Sequence, residues 1–447
     1  MLLKISHFIS EHLAFIGVSV LIFLGFWGVR GRKEKSIKGK IKHQEAARKS
    51  MDEPNTLHPE IDPTKCAGCG ACVSVCPEGE ILQLINHKAV LVSPTKCVGH
   101  GVCEVVCPFE AITLVFGTKT KGMELPRLTE NYESDVNGLY IAGELGGMGL
   151  ISNAVKQAKM ASEHAIQNLN KNEKTDYDIF IVGAGPAGLS ASLACTDKKQ
   201  KYLCIDQDKF GGTIYSFPRQ KIVMQRPVDF PLAGLVKFSK HKISKEELLS
   251  VWGQIRTKFK LNIKEGVKFT GLKRKGKAFL VETSGGNYTA KKVILCLGVR
   301  GTPRKLDVPG EDLPKVTYNL LEPEQYQRRY IAVVGAGNSA LEAAQYLARS
   351  QYRNKVILIV RGDNMSKAND DNIQLVLDLQ RKGLLKIWYN SSIKEIQKEA
   401  IQVKKGNELL QIPNHYVFIF VGALMPFKFL EGIGIKIEKK FGEARIS

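Results

Sequence analysis

The sequence predicts an α/β protein: two Rossmann-like dinucleotide-binding domains, a small cysteine-rich α+β domain and one N-terminal transmembrane helix. Three observations carry that expectation. Seven cysteines fall into two matching runs between Cys66 and Cys107. Two glycine-rich turns, beginning at Gly183 and Gly335, each lie between an apolar strand and a helix. An uncharged run, Leu13–Val29, precedes a dense block of basic residues. A chain of 447 residues is too long for one core and implies several domains.

Taken from the N-terminus, the uncharged run is near the lower length limit for crossing about 30 Å of hydrocarbon. Phe26, Trp27 and Val29 occupy its end, where a signal peptide would carry small residues for cleavage. Arg30, Arg32, Lys33, Lys35, Lys38, Lys40 and Lys42 follow, against Lys4 alone before it. The positive-inside rule then places everything after Arg30 in the cytoplasm. Residues 9–31 are read as a single-pass anchor in the cytoplasmic membrane, and 32–56 as a basic linker without an apolar period. The net charge is +21. Its excess near the anchor suits anionic headgroups; the rest suits an acidic protein partner or a solvated surface. No nucleic-acid motif is present.

The first cysteine run is Cys66-x2-Cys69-x2-Cys72-x3-Cys76-Pro77. The second, Cys97-x5-Cys103-x3-Cys107-Pro108, keeps that frame with His100 in place of the second cysteine. Thiolates two residues apart on a tight loop converge on one iron–sulfur cluster, and the cysteine before proline ligates its neighbour. Structural zinc rarely needs the third cysteine or the trailing Cys-Pro. Cys66, Cys69, Cys72 and Cys107 are expected to hold one 4Fe-4S cluster. Cys76, Cys97 and Cys103 are left for a second, which is 4Fe-4S if His100 completes it and 3Fe-4S if it does not. Cys195, Cys204 and Cys296 lie in apolar stretches and read as buried inert thiols. Nothing suggests a disulfide framework, so the compartment is reducing.

After the cysteine runs, Gly143–Gly149 opens an amphipathic helix, and an alternating α/β pattern begins beyond the polar break at 170–175. In the first glycine turn, Gly183, Gly185 and Gly188 with Pro186 and Ala187 would bring a pyrophosphate to a helix N-terminus. Asp206, ending the next strand, would accept ribose hydroxyls. The second turn comprises Gly335, Gly337, Asn338, Ser339 and Ala340. Its next strand ends in Arg361 where an acid would select NAD, so Arg361, assisted by Lys367, fits the 2′-phosphate of NADP.

Residues 178–447 resemble the thioredoxin-reductase-like flavoproteins, in which a split FAD domain encloses an NADP domain. The turns at Gly183–Gly188 and Gly335–Ala340, the Phe210-Gly211-Gly212 loop, Leu297-Gly298 and Val421-Gly422-Ala423 match in order. The stretch Phe217–Met224 is similar to the bacillithiol disulfide reductase branch, and residues 61–114 resemble bacterial two-cluster ferredoxins. The resemblance implies FAD bound by the first turn with Gly211 and Gly212, and NADPH bound by the second. It also implies a closing segment ending in Ala-Gly-Asp, which is absent after Phe420. Its counterpart, Asn131–Glu144, stands upstream, so the chain looks circularly permuted, with Gly143 and Glu144 replacing the usual Gly-Asp. The expected domains are 57–116 for the clusters and 117–170 for the displaced part of the FAD domain. Then come 176–308 for FAD, 309–412 for NADP and 413–447 for the return to the FAD domain.

The thioredoxin reductases carry a Cys-x2-Cys pair in the NADP domain, and the bacillithiol branch a cysteine in the first turn. This chain has neither, Ala187 standing in that turn. Without a thiolate to attack a disulfide, electrons are expected to leave through the clusters. The reading is a membrane-tethered NADPH-dependent iron–sulfur flavoprotein oxidoreductase of ferredoxin–NADP reductase type, with no catalytic nucleophile or acid. Its partner is an unidentified ferredoxin or membrane complex. The alternatives are a low-molecular-weight disulfide reductase and a non-catalytic relay subunit; a homodimer fits either.

Overall fold

The computed structural model describes residues 54 and 57–444 except 171, 225–226, 237, 239–242 and 300–301, and, upstream, 22–23, 27, 30–31 and 33–44. Two compact units result. The smaller comprises 59–97 and 101–114 with the residues before 54; the larger comprises 115–447 with 54–58 and 98–100.

In the smaller unit, α1 (Ala71–Val75) and α2 (Val102–Val105) flank the antiparallel hairpin of β1 (Leu82–Ile85) and β2 (Lys88–Leu91). Asn86 and His87 turn that hairpin with positive φ. Cys72, Leu82, Ala89 and Ile112 form its small core. Residues 33–44, within the expected basic linker, are helical. Half of the block is lysine and glutamate, which favour helix, and Arg30 pairs with Glu34 one turn on at 3.5 Å. Among the described residues no helix is long and apolar enough to cross a membrane. The anchor expected at 9–31 lies largely outside the described residues.

The larger unit is built on two sheets. Its first contains β3 (Leu139–Ile141), β4 (Tyr177–Val182), β5 (Tyr202–Asp206), β6 (Ile263–Glu265), β7 (Phe269–Lys275), β8 (Ala278–Thr283) and β9 (Gly286–Leu295). The order is β6-β5-β4-β9-β8-β7, with β3 also paired to β9. The long strand β9 runs antiparallel to β8 at its start and parallel to both β4 and β3 at its end. Its final Val293–Leu295 is wholly buried, as are Ile179–Ile181 of β4, because helices cover a parallel sheet. Two of those helices, α3 (Ile151–Gln167) and α4 (Pro186–Asp197), share one core with Ala154, Ala158, Leu189 and Ala191. Small residues let their backbones approach, and Ser190 Oγ donates to Val155 O at 2.8 Å.

The second sheet is wholly parallel, ordered β10-β14-β11-β12-β13. Its strands are β10 (Val316–Thr317), β11 (Tyr330–Val334), β12 (Lys355–Ile359), β13 (Leu385–Trp388) and β14 (Tyr416–Ile419). Helix α5 (Asn338–Leu347) follows β11, and α6 (Asp370–Arg381) precedes β13. The strand–turn–helix order read from the two glycine motifs is thus present in both sheets.

Candidate redox site

The smaller unit brings the cysteines together in two groups. Cys66, Cys69 and Cys72 of the first run line one cleft with Cys107 of the second, walled by Leu84, Ala89 and Ile112. Gly68 makes the approach feasible: a Cβ there would fall 2.0 Å from the His87 carbonyl oxygen. The amide of Ala89 donates to Cys66 Sγ at 3.5 Å and that of Ala111 to Cys107 Sγ at 3.4 Å. Burial, then the neighbouring Cys66, Cys69 and Cys107, push the Cys72 thiol up. In the second group, burial and then Cys97 and Cys76 push Cys103 up to about 12. Among the described residues, no group of three or more His, Cys, Asp or Glu is gathered for a single ion. Four thiols lining one cleft suit a cubic cluster, whose irons sit at separate corners. His100 falls within residues 98–100 of the larger unit.

At the first glycine turn, Gly183 takes φ 104° and would place a Cβ 2.3 Å from Cys296 O. Gly188 lets α4 approach, since a Cβ would lie 1.8 Å from Gly183 O. Gly185 alone faces open space, at the N-cap of α4, with Pro186 opening the helix and Ala187 buried behind it. That is the cradle a pyrophosphate needs. Asp206 Oδ2 accepts from Ala184 N at 2.7 Å and Oδ1 from Asp208 N at 2.9 Å. Burial raises its carboxyl, with those two amides opposing. It therefore ties the turn as well as facing it.

Gly211 and Gly212 reach the same place: a Cβ on Gly212 would be 3.2 Å from Gly185 Cα. A residue overlooked in the sequence holds them there. Glu265, ending β6, accepts from Phe210 N at 2.9 Å and pairs with Arg256 at 2.9 Å; no motif marks it. The Phe210 amide holds its carboxyl below the usual range, burial opposing and Arg256 assisting. A group depressed in this way contributes stability above its unfolded value of 4.5, and that contribution is lost as pH falls through the folded one. Flavin release, followed by fluorescence, is expected to steepen below about pH 4.5, and Glu265→Gln to flatten that dependence.

The upstream turn arrives beside the same helix. Gly143, at φ 96°, would place a Cβ 3.3 Å from Ala187 Cβ, and its amide donates to Gln157 Oε1 at 2.7 Å. Glu144 begins a short 3-10 turn toward Gly149. Gln157 is a second residue the sequence did not disclose.

At the second turn, Gly335 would place a Cβ 2.3 Å from Phe420 O, while Gly337 faces open space at the N-cap of α5. Ser339 and the buried Ala340 complete its first turn. Asn338 turns its side chain away: Oδ1 accepts from Asn369 N at 2.8 Å and Asn372 Nδ2 at 3.1 Å. Its side-chain oxygen is thereby engaged away from the nucleotide. Arg361 and Lys367 are both exposed, beyond the end of β12. Cys195, Cys204 and Cys296 are buried, and burial pushes each thiol up, Cys204 to about 12.

Residues 180–444 match the family described as pyridine nucleotide-disulphide oxidoreductase. The chain belongs to that family. Residues 58–108 match the 4Fe-4S dicluster domain. This pyridine nucleotide-disulphide oxidoreductase is 28% identical over 267 residues to the bacilliredoxin reductase Bdr of Bacillus subtilis, covering 59% of this chain and 82% of the relative. It is 31% identical over 245 residues to a ferredoxin–NADP reductase of Picrophilus torridus, covering 52% and 68%. The bacillithiol disulfide reductase Bdr of Staphylococcus aureus has the same fold, with a TM-score of 0.52 at 22% identity over 59% of this chain and 81% of that one. The protein is an iron–sulfur flavoprotein oxidoreductase of FAD and NAD(P), related to ferredoxin–NADP and thioredoxin reductases.

Proposed function

We propose that the enzyme is tethered to the cytoplasmic membrane by residues 9–31, faces the cytoplasm, and passes electrons between NADPH, FAD and two clusters, to or from a redox protein. The placement of the thiols carries this reading. Two cysteine groups gather in the smaller unit, whereas the three cysteines of the larger are buried and held protonated. Disulfide reduction needs an accessible thiolate, which those three cannot supply. The name ferredoxin–NADP reductase, borne by several relatives, agrees.

A flavin held there would supply the exchange between a two-electron hydride donor and one-electron carriers, the chemistry that joins a nucleotide to iron–sulfur clusters. The chain's own work is to bind and orient. Gly185 and the first turn of α4 take the flavin pyrophosphate, Asp206 the ribose, and Gly143 and Glu144 the end that a permuted chain supplies from upstream. Gly337 and the first turn of α5 take the nucleotide, with Arg361 and Lys367 for its 2′-phosphate. A charge-assisted contact to phosphate is worth about 1.5–3 kcal/mol, so Arg361→Ala is expected to raise KM for NADPH at least ~10-fold and leave NADH unchanged. A wild type that prefers NADH would overturn that assignment.

For the second cluster, His100 occupies the place of Cys69 in the repeated frame. Gly68 and Gly70 take φ 71° and 82°; Gly99 and Gly101 take 77° and 78°. His100→Cys is expected to give an all-cysteine 4Fe-4S cluster of lower potential, since neutral imidazole raises cluster potentials. The oxidised wild type should show either a 3Fe signal or none by EPR. The whole reading is tested by NADPH-driven reduction of cytochrome c. Turnover of a small disulfide that survives loss of the cluster cysteines would sink it.

A further inference from the structure

The loop that leaves the first glycine site, residues 212–221, reaches the second. We propose that it is a strap setting the distance for hydride transfer, with Lys221 and Glu342 as the positioning pair at its clasp. The inference rests on the reading above that α4 takes FAD and α5 the nicotinamide nucleotide. The cores around the first sheet, with Ile179, Phe180 and Leu193, share no residue with those around the second, with Ala332, Val333 and Leu341. The chain passes between the sheets along two short strands, Thr302–Pro303 and Ala423–Leu424, paired antiparallel. A two-stranded ribbon is marginal by itself and twists readily. A second attachment is therefore needed to fix where nicotinamide meets flavin.

The strap supplies it. Where it begins, the Gly211 amide donates to Ala184 O at 3.0 Å, with Gly212 against Gly185. Midway it is held by Lys245, a buried residue opening the helix Lys245–Lys258. Lys245 Nζ donates to Tyr215 O at 3.2 Å and to Phe217 O, and its amide donates to Lys221 O at 2.9 Å. The far end crosses to the second sheet. Arg219 N donates to Leu321 O at 2.9 Å, and Arg219 pairs with Glu322 at 3.6 Å. Lys221 Nζ meets Glu342 Oε2 at 2.6 Å, the two side chains being only 21% and 26% exposed, so salt screens the pair weakly. Glu342 stands on α5 one turn past Asn338. Its other oxygen accepts from Asn372 Nδ2 at 3.5 Å, the amide that also donates to Asn338. In the transfer itself two electrons and a proton leave the nicotinamide together, NADPH becoming NADP+, and join the flavin, which is reduced. Such atoms must come within about 3–3.5 Å, and a misplacement of about 1 Å costs ~100-fold. A clasp remote from both rings can thus govern the rate.

The test follows single-turnover bleaching of the flavin by saturating NADPH in the full chain with FAD bound. It compares Lys221→Met, Glu342→Gln, the two together, and the exchanged pair Lys221→Glu/Glu342→Lys. Each single variant is expected to slow bleaching at least ~10-fold. The double variant should be no slower than either, and the exchanged pair should recover most of the rate. A second readout needs no turnover: the change that NADP+ makes in the flavin absorbance should weaken in the single variants and return in the exchanged pair. Single variants that bleach at the full rate or faster overturn the proposal, as does an exchanged pair as slow as the singles. Loss of FAD from the single variants overturns it too, because the strap would then serve to hold the flavin. If Arg361→Ala leaves KM for NADPH unaltered, the nucleotide assignment fails instead, and the four variants still decide whether this pair sets the rate.

Discussion

Cys72→Ala is expected to cost one cluster its 4Fe-4S form, by conversion to 3Fe-4S or by loss, and to lower NADPH-driven reduction of cytochrome c by ~100-fold or more, because even an outer-shell partner of a metal is worth 10–100-fold. Cys72 is the buried member of its group, packed with Leu82, Ala89 and Ile112. Its loss leaves Cys66, Cys69 and Cys107, three thiolates with no fourth to complete a 4Fe-4S cluster. The flavin site lies in the other unit and should be untouched, so NADPH should still bleach the flavin at the wild-type rate in a single turnover. That split between flavin reduction and one-electron output is the signature sought. Equal loss of both would mean that the alanine damages the fold. Full retention of both, with iron content unchanged, would remove the clusters from the electron path.

The second large effect concerns the segment upstream of the first glycine turn. A fragment of residues 176–447 is expected to purify nearly free of FAD, and one of residues 117–447 to retain it stoichiometrically. The shorter fragment loses β3 from the edge of β9 and α3 from the face of α4. Ala154, Val155, Ala158, Ala161 and Ala165 all leave the core; at about 25 cal/mol per Å² of apolar surface, that costs several kcal/mol. Gly143 and Glu144 leave the neighbourhood of Ala187 as well. Residues 117–170 supplied as a separate chain should restore flavin binding, which separates a missing part of the site from a failure to fold. Stoichiometric FAD in the shorter fragment would show that the upstream segment is dispensable.

Much of this site was legible in advance. Iron–sulfur spacing is a local code, so the assignment of Cys107 to the group of Cys66 needed only the repeated frame. The glycine turns were equally plain, because each glycine answers a steric demand within a few residues of itself. The helix at 33–44 was not legible in the same way. Its sequence has no strong apolar period, and its helical form comes from propensity and from packing on the hairpin. Asn338 shows another limit: its motif position points to the nucleotide, yet its side chain serves the start of α6.

By itself the sequence determined the outline of this protein's chemistry: two cysteine groups for clusters and two turns for dinucleotides. Each rests on short-range spacing, which the covalent chain imposes directly. Only the tertiary structure decided that Gly143 lies against Ala187, that Glu265 holds the Phe210–Gly212 loop, and that Gly39 presses on Gln83. Those pairs are separated by more than forty residues. Their contacts are set by how sheets and helices pack once the chain has folded, and no local pattern in the sequence encodes a distance between such remote positions.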